Sequence, residues 1–330
     1  MARLKRVAVG ILVNIYLGFL NFLLYPILLM LLPSRIPEWV LKVQGDLTYL
    51  LSRGQRSKVV SALRRKVPAA ASDAAARRIA RDYFRIQTSF FYYTLFMIRF
   101  WVKKWLPRFV TYEGLEYLDT SLKCNKGVIM PTFHFNHPIA TPGFLEFKNY
   151  KVTGYAVHPW DLDVPAVVKI NAWLGYYVGM LKGDLQMAWM KRNPKEVYSR
   201  RLKEGGVFVV LIDIPMPEKK DLKPMRFMGE QFLFPSRIMD MIYEIGSPVH
   251  IGYCVRDNND WRRAKVVVSP RLAMTGNPEE DLQTIISAHE AAVLKHPEQW
   301  WGWSRYERGT QKYHEEYKRR KEEIEKKTDD

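Results

Sequence analysis

Residues 204–213 read Glu-Gly-Gly-Val-Phe-Val-Val-Leu-Ile-Asp, and this stretch predicts a buried strand. The pair Gly205-Gly206 ends a helical pattern, and every residue from 207 to 212 is apolar. A strand without polar residues is expected to be covered on both faces, which is typical of a parallel sheet. Ligands of open parallel sheets bind at the edge where the strands end, so Asp213 is a candidate site residue.

A second apolar strand leads into the most polar motif of the chain. Residues 127–138 read Gly-Val-Ile-Met-Pro-Thr-Phe-His-Phe-Asn-His-Pro, which predicts a strand over 128–133 followed by a loop. His134 stands where the strand meets the loop, and a histidine there is a candidate general base. The alternative is that His137 is the base and Asn136 orients it.

Strands and helices alternate through the rest of residues 107–310. Further strands are predicted at 109–112, 152–157, 248–255 and 264–268, and helices at 165–177, 185–203 (interrupted at Pro194) and 279–294. This alternation predicts an α/β domain whose mixed, largely parallel sheet is flanked by helices.

The first third of the chain is both basic and apolar. The net charge is +17, and residues 1–110 hold 19 Lys/Arg against 4 Asp/Glu, which leaves +2 for the remainder. No charged residue lies between Arg6 and Arg35, and the apolar run 7–32 is long enough to cross a bilayer. Residues 1–35 are therefore predicted to form a membrane-embedded anchor helix. Basic residues flank both ends, so crossing, returning at Pro26 and lying in the interface all remain open.

The next segment is predicted to be helical and close to the membrane. After Pro37 a helical pattern runs to about Arg65, and another helix begins after a cap at Ser72 or Asp73. Aromatic and basic residues are mixed over 84–105, a composition that suits the headgroup layer, although a helix buried in a soluble core would also explain it. The predicted domains are thus 1–35, 36–106, 107–310 and a charged tail at 311–330.

Composition excludes some classes of protein and site. The two cysteines, Cys124 and Cys254, cannot build a disulfide framework, and neither has the spacing of a metal ligand, so no metal site is predicted. The chain is basic, but no nucleic-acid-binding motif accompanies the charge, and the basic third is too apolar for that role.

Several sequence blocks together resemble the lipid A lauroyl/myristoyl acyltransferases, a branch of the lysophospholipid acyltransferase-like superfamily. The blocks lie within residues 74–306: 127–135, 202–206 with 211–213, 227–229 with Phe232 and Pro235, 247–249, and 296–301. No single block is specific, and the resemblance rests on their order and spacing behind one apolar N-terminal segment.

The resemblance implies an enzyme of lipid biosynthesis at the cytoplasmic face of the inner (plasma) membrane. Such enzymes move a fatty acyl chain from acyl carrier protein or coenzyme A to a lipid hydroxyl, and they need no cofactor beyond that donor. A histidine takes the hydroxyl proton, helped by an acid five residues later, and the aspartate of the second block helps to shape the site. The expected partners are membrane lipids, the donor and a membrane protein.

This chain departs from the family pattern at two positions. Ile139 stands where the family has its acid, and His158 stands where it has an arginine. Asp161 or Asp163 could supply the missing carboxylate. The candidate catalytic residues are His134, Asp213 and His137, and the candidate substrate-binding residues are Asn136, His158, Asp161, Asp163, Lys182, Arg200 and Arg237. The alternative is a catalytically impaired relative that binds lipid or serves as a subunit of a membrane complex.

Overall fold

The computed structural model describes residues 15–16, 18–25, 27, 35–90, 108–137, 139–162, 165–182, 185–213, 221–315 and 319. Its strands are β1 (Val110–Glu113), β2 (Val128–Thr132), β3 (Val152–Ala156), β4 (Gln186–Trp189), β5 (Val207–Leu211), β6 (Leu222–Phe227), β7 (Glu230–Pro235), β8 (Gly252–Arg256) and β9 (Ala264–Val268). Its helices are α1 (Arg35–Leu51), α2 (Arg53–Lys66), α3 (Asp73–Thr88), α4 (Leu115–Leu122), α5 (Ala140–Phe147), α6 (Ala166–Lys182), α7 (Pro194–Lys203), α8 (Arg237–Ile245), α9 (Pro278–Lys295) and the short α10 (Tyr306–Gly309).

A parallel sheet of four strands, in the order β2-β5-β3-β4, forms the centre of the molecule. The apolar strand β5 lies inside this sheet, and the residues of β5 from Val207 to Val210 are buried. Helices connect the successive parallel strands. The predicted α/β architecture, with a parallel sheet flanked by helices, is confirmed.

A second sheet continues the first. Strand β9 pairs in parallel with β1 and antiparallel with β8, so the predicted pairing of the last two strands is confirmed. Backbone hydrogen bonds join Ile129 of β2 to Pro248 and His250, at 3.0 and 3.2 Å, just before β8 begins. The two sheets therefore meet along β2. The hairpin β6–β7 forms a separate two-stranded antiparallel sheet.

The prediction of one helical stretch over residues 185–203 is wrong in its first half. Residues Gln186–Trp189 form β4, which pairs with β3 at the edge of the parallel sheet. Gln186, Met187 and Ala188 are good helix formers, and burial of Met187 and Ala188 against the sheet overrides that preference. Asn193 then adopts a left-handed conformation (φ 47°), and Pro194 opens α7 at a position where its missing N–H costs little.

Other elements differ from the sequence analysis in smaller ways. The helical pattern up to Arg65 is two helices, α1 and α2, separated at Ser52. Ser72 is the cap of α3, because its Oγ accepts a hydrogen bond from the backbone N–H of Ala75 at 3.1 Å. Helix α5 is not among the predicted elements; its Pro142 lies in the first turn, where proline is tolerated. Helices α4 and α8 and the hairpin β6–β7 are not predicted either.

The N-terminal helices share the core of the α/β part. Val59, Leu63 and Phe84 belong to the same buried cluster as Phe133 and Trp300. Helices α1 and α3 approach closely, since a Cβ on Gly45 would lie 2.4 Å from the Cα of Arg85. The described part of segment 36–106 is therefore packed onto the α/β domain.

The predicted membrane anchor lies largely outside the described residues. Of the run 7–32, only residues 15–16, 18–25 and 27 are described, and they include a short π-helix, Leu20–Leu24. In the ranges given above, no helix is long and apolar enough to span a membrane. Of the segment 84–105 only residues 84–90 are described, and of the tail only residues 311–315 and 319.

Candidate active site

Strand pairing brings His134 and Asp213 to the same edge of the parallel sheet. Thr132, the last residue of β2, pairs with Leu211, the last residue of β5. His134 and Asp213 each follow two residues later, so the two occupy equivalent positions on neighbouring strands. This is the carboxyl edge of the sheet, where open α/β proteins bind their ligands.

The Asp213 carboxylate accepts three hydrogen bonds. Its Oδ1 lies 2.5 Å from Nδ1 of His134. Its Oδ2 accepts from the backbone N–H of His134 and from the indole Nε1–H of Trp300, both at 2.8 Å. Both carboxylate oxygens are thus fixed, and Asp213 holds the backbone and the ring of His134 together.

These contacts keep Asp213 ionised. Burial alone would raise the pKa of Asp213, but the facing imidazole of His134 and the hydrogen bonds from His134 and Trp300 lower it below its usual range. An ionised carboxylate can only accept hydrogen bonds, so Nδ1 of His134 carries a proton. In the neutral ring Nε2 is then unprotonated, which is the form that a general base requires.

The two members of the pair differ in their access to solvent. The Asp213 side chain is 1% exposed, whereas that of His134 is 10% exposed. Nε2 of His134 has no hydrogen-bond partner among the described residues and is not one of their fully buried polar atoms. The basic nitrogen is therefore available to a substrate, while the carboxylate behind it is sealed from water.

The indole of Trp301 forms part of the wall beside the dyad. The Trp301 ring lies 6.1 Å from the imidazole of His134, and its Nε1–H donates to the carbonyl of Asn136 at 2.7 Å. Asn136 adopts a left-handed conformation (φ 49°), and its Oδ1 is buried without a described partner. Asn136 thus lies next to the dyad in the loop after β2.

His137, the other candidate base, is enclosed. The ring is 1% exposed and stacks on Phe90 with their centroids 4.4 Å apart. Its Nδ1 accepts from the backbone N–H of Ile139 at 3.3 Å. Burial, together with the positive charge of Arg256, lowers the pKa of His137 to about 3, so the ring is neutral and packed. Ile139 itself is 4% exposed at the start of α5.

A third polar residue lies at the same edge of the sheet. Tyr155 of β3 pairs with Val210 of β5, which puts His158 level with Asp213 on the next strand. The His158 ring packs edge to face on Trp189 at 4.8 Å, and its Nδ1 is buried without a described partner. The strand register therefore places His158 at the same edge of the sheet as the dyad, while its ring packs on Trp189.

The remaining predicted site residues are more scattered. Asp161 ends a short helix (Pro159–Asp161) and is exposed, and Asp163 lies outside the described residues. Lys182 is the last residue of α6, and Arg200 is exposed on α7. Arg237 is exposed and forms an ion pair with Asp221 at 3.0 Å. The roles assigned to these residues stay predictions.

The sequence did not reveal the role of Trp300, which is 1% exposed and donates to Asp213. In the sequence, a cluster of tryptophans near residue 300 is compatible with core packing and with contact to acyl chains or the membrane. Within the described part of the chain, no group of three His, Cys, Asp or Glu side chains could hold a metal ion.

Comparison with known proteins leaves the resemblance as it stood. No protein-family model matches the chain, and no curated protein matches its sequence. Membership of the acyltransferase family therefore stays a prediction, and the functional argument rests on the geometry of the dyad.

Replacing Trp300 with phenylalanine should disturb the dyad without removing either member. The variant loses one hydrogen bond to a buried carboxylate, which should cost about 2 kcal/mol in the free energy of unfolding. Without this hydrogen bond the Asp213 carboxylate is more basic and favours the imidazolium that faces it, so the acid limb of the pH–rate profile, which belongs to the pair, should move to higher pH. Misplacement of the pair should lower kcat by about 10- to 100-fold. Denaturant unfolding and a pH–rate profile measure both effects.

Trp303 provides the matched control for this variant. It is also 1% exposed, but its indole donates to the carbonyl of Pro297 and not to Asp213. Trp303→Phe should lose stability to a similar degree and keep the acid limb of the parent. An acid limb that stays in place in Trp300→Phe would show that the indole does not support Asp213.

Proposed function

We propose that the protein is a membrane-bound acyltransferase that moves a fatty acyl chain from an acyl thioester to a hydroxyl of a lipid or glycolipid. The donor is acyl carrier protein or coenzyme A carrying the acyl chain. The observation that supports this most is the pairing of His134 with Asp213, because it leaves Nε2 as an accessible base.

The chemistry needs one proton relay. Nε2 of His134 removes the proton of the acceptor hydroxyl as the oxygen attacks the thioester carbonyl, and the imidazolium that forms is stabilised by ionised Asp213. The new C–O ester bond forms, the C–S bond breaks, and the imidazolium returns the proton to the leaving sulfur. Among the described residues no hydroxyl or thiol side chain is bonded to Nε2, so the nucleophile in this proposal is the substrate hydroxyl.

Membrane attachment belongs to the same proposal. The run between Arg6 and Arg35 carries no charge, and an acceptor that resides in a bilayer requires the enzyme to be there. Thioester donors are soluble and anionic, and the basic N-terminal third would attract them. We therefore assign the catalytic domain to the cytoplasmic face of the inner membrane.

The second candidate function is a non-catalytic relative that binds lipid or joins a membrane complex. Its motivation was Ile139 in the position of the family's acid. Asp213 lies within hydrogen-bonding distance of His134, which supports the enzyme over the subunit, because a carboxylate is available from another strand.

The direct test is transfer of labelled acyl chains. The full-length protein is reconstituted into vesicles of bacterial lipids and supplied separately with acyl-CoA and acyl carrier protein that carry a radiolabelled chain. The expected result is a labelled lipid that releases its label in alkali, as an ester does. Mass spectrometry of lipids from cells with and without the protein then identifies the acceptor. If neither donor yields a labelled lipid ester, the proposal fails.

A further inference from the structure

Helix α1 presents a large apolar face to the outside of the molecule. Its outward residues are between 37% and 80% exposed, and they are Ile36, Trp39, Val43, Leu47, Leu50 and Leu51. Their spacing places them on one side of an α-helix. Six large apolar side chains on one face form a contiguous patch of the kind that marks an interaction site.

This face is not the core side of the helix. The opposite side of α1 carries Pro37, Leu41 and Gly45, which are buried, and it packs on α3. The helix is therefore apolar on two opposite sides, with Glu38, Lys42 and Asp46 between them. Apolar residues on opposite sides are expected of a helix that packs on its own protein with one face and contacts a partner with the other.

The described N-terminal residues extend the same surface. Gln44 of α1 accepts a hydrogen bond from the Tyr25 hydroxyl at 2.8 Å and donates one to the Tyr16 hydroxyl at 3.4 Å. Gln44 is three residues from Leu47, so the two helical segments meet beside the exposed face. The outward residues of the N-terminal segment are also apolar: Ile15, Phe19, Leu23 and Ile27 are each at least 43% exposed.

Positive charge borders the end of the face. Helix α2, which follows directly, contains six Lys/Arg and no Asp/Glu. Arg53 is exposed next to Leu51, and the guanidinium of Arg56 donates to the carbonyls of Tyr49 and Leu50 at 3.2 Å. A partner that is apolar inside and negatively charged at its border matches this surface. An anionic phospholipid bilayer has both properties, whereas a second copy of the chain would bring the same positive charge.

The surface is linked to the neighbourhood of the dyad. Trp261 lies between Lys42 of α1 and Arg256 of β8, with the two cations 5.3 and 4.8 Å from its rings. Arg256 donates to the Ser89 hydroxyl at 2.9 Å, one residue before Phe90, which stacks on His137. Helix α1 and the loop that follows β2 are therefore joined by packed side chains, beginning at Lys42 on the flank of the helix.

We propose that α1 lies in the headgroup layer of an anionic bilayer, with its outward face buried in the lipid. The charged flanks of the helix suit a position along the surface and not across it. The exposed aromatic ring of Trp39 suits the interface between lipid and water. This contact deepens the proposed membrane attachment, yet it rests on α1 alone and would hold in a protein without transferase activity.

Depth-dependent fluorescence quenching tests the proposal. The full chain carries Cys124→Ser to remove the exposed thiol, since Cys254 is buried. Leu47→Cys is labelled with an environment-sensitive dye, and the protein is reconstituted into vesicles of phosphatidylglycerol and phosphatidylcholine. We expect loss of fluorescence with spin-labelled lipids and protection from iodide in the water. Lys203→Cys, exposed on α7, is the matched control and should show the opposite pattern.

Other quenching patterns would contradict the proposed position of α1. Quenching of the Leu47→Cys label by iodide would overturn the proposal, because the face would then lie in water. Protection from both quenchers, with crosslinks between labelled chains, would assign the face to a second copy and would also overturn it. Equal lipid quenching in vesicles of phosphatidylcholine alone would contradict the role of the basic border. The same measurement in a His134→Ala chain should be unchanged, so its outcome is separate from that of the proposed activity.

Discussion

Asp213→Asn is expected to lower acyl transfer by about 10⁴-fold, the loss that the same change causes in a Ser-His-Asp hydrolase. Two donors, the backbone N–H of His134 and the indole of Trp300, point at Oδ2 of Asp213. They fix the asparagine with its carbonyl oxygen at that position and its NH2 toward Nδ1 of His134. The NH2 then donates to Nδ1, so the proton of the neutral ring moves to Nε2, which can no longer act as a base.

The measurement is kcat/KM for transfer from a labelled thioester, together with the midpoint of denaturant unfolding. Asp161→Asn is the matched control, because Asp161 is exposed on a short helix beside the same sheet edge. It should retain far more activity than Asp213→Asn if Asp213 is the carboxylate of the dyad. A fall with Asp161→Asn and not with Asp213→Asn would transfer the role to the loop after β3.

His134→Ala is expected to remove acyl transfer to at least the same extent, about 10⁴-fold or more, because the proton acceptor itself is lost. Members of one catalytic unit are not additive, so the double variant with Asp213→Asn should be no slower than His134→Ala alone. Single-turnover transfer from the labelled thioester measures the three rates on one scale. Multiplicative losses in the double variant would mean that the two side chains act in separate steps.

His134→Gln distinguishes loss of the base from loss of packing. The glutamine amide can still donate to Asp213, so this variant should retain most of the stability that His134→Ala loses. It should nevertheless be as inactive as the alanine variant. Activity near the parental level in His134→Gln would remove proton abstraction at this position from the mechanism.

Much of the α/β fold could be predicted from residue patterns. The apolar strand over 207–212 identified a strand inside a parallel sheet, and β5 lies between β2 and β3. Strand β4 was missed because its four residues carry no alternation or β-branched run, and pairing with β3 determines their conformation. The hairpin β6–β7 was missed because its two-residue turn is Met228-Gly229, which is not one of the residue pairs that usually signal such a turn, although both residues have positive φ in the structure.

The two main residues of the candidate site were predicted from the sequence, but the contacts between them were not. His134 and Asp213 were identified separately, each as a polar residue at the end of an apolar strand. Their contact depends on the order and register of β2 and β5, which hydrophobic patterns do not report. Trp300 could not be found at all, because a buried indole that donates to a carboxylate looks in sequence like any core aromatic residue.

Because His134 and Asp213 follow adjacent strands, the chain tolerates insertions and deletions at some positions and not at others. The 72 residues between His134 and β5 (135–206) could lengthen or shorten at their loops without separating the imidazole from its carboxylate. One residue inserted within either strand would turn one partner to the reverse side of the sheet. Loop remodelling could thus alter which lipid is accepted, while the proton-transfer pair tolerates no shift along its strands.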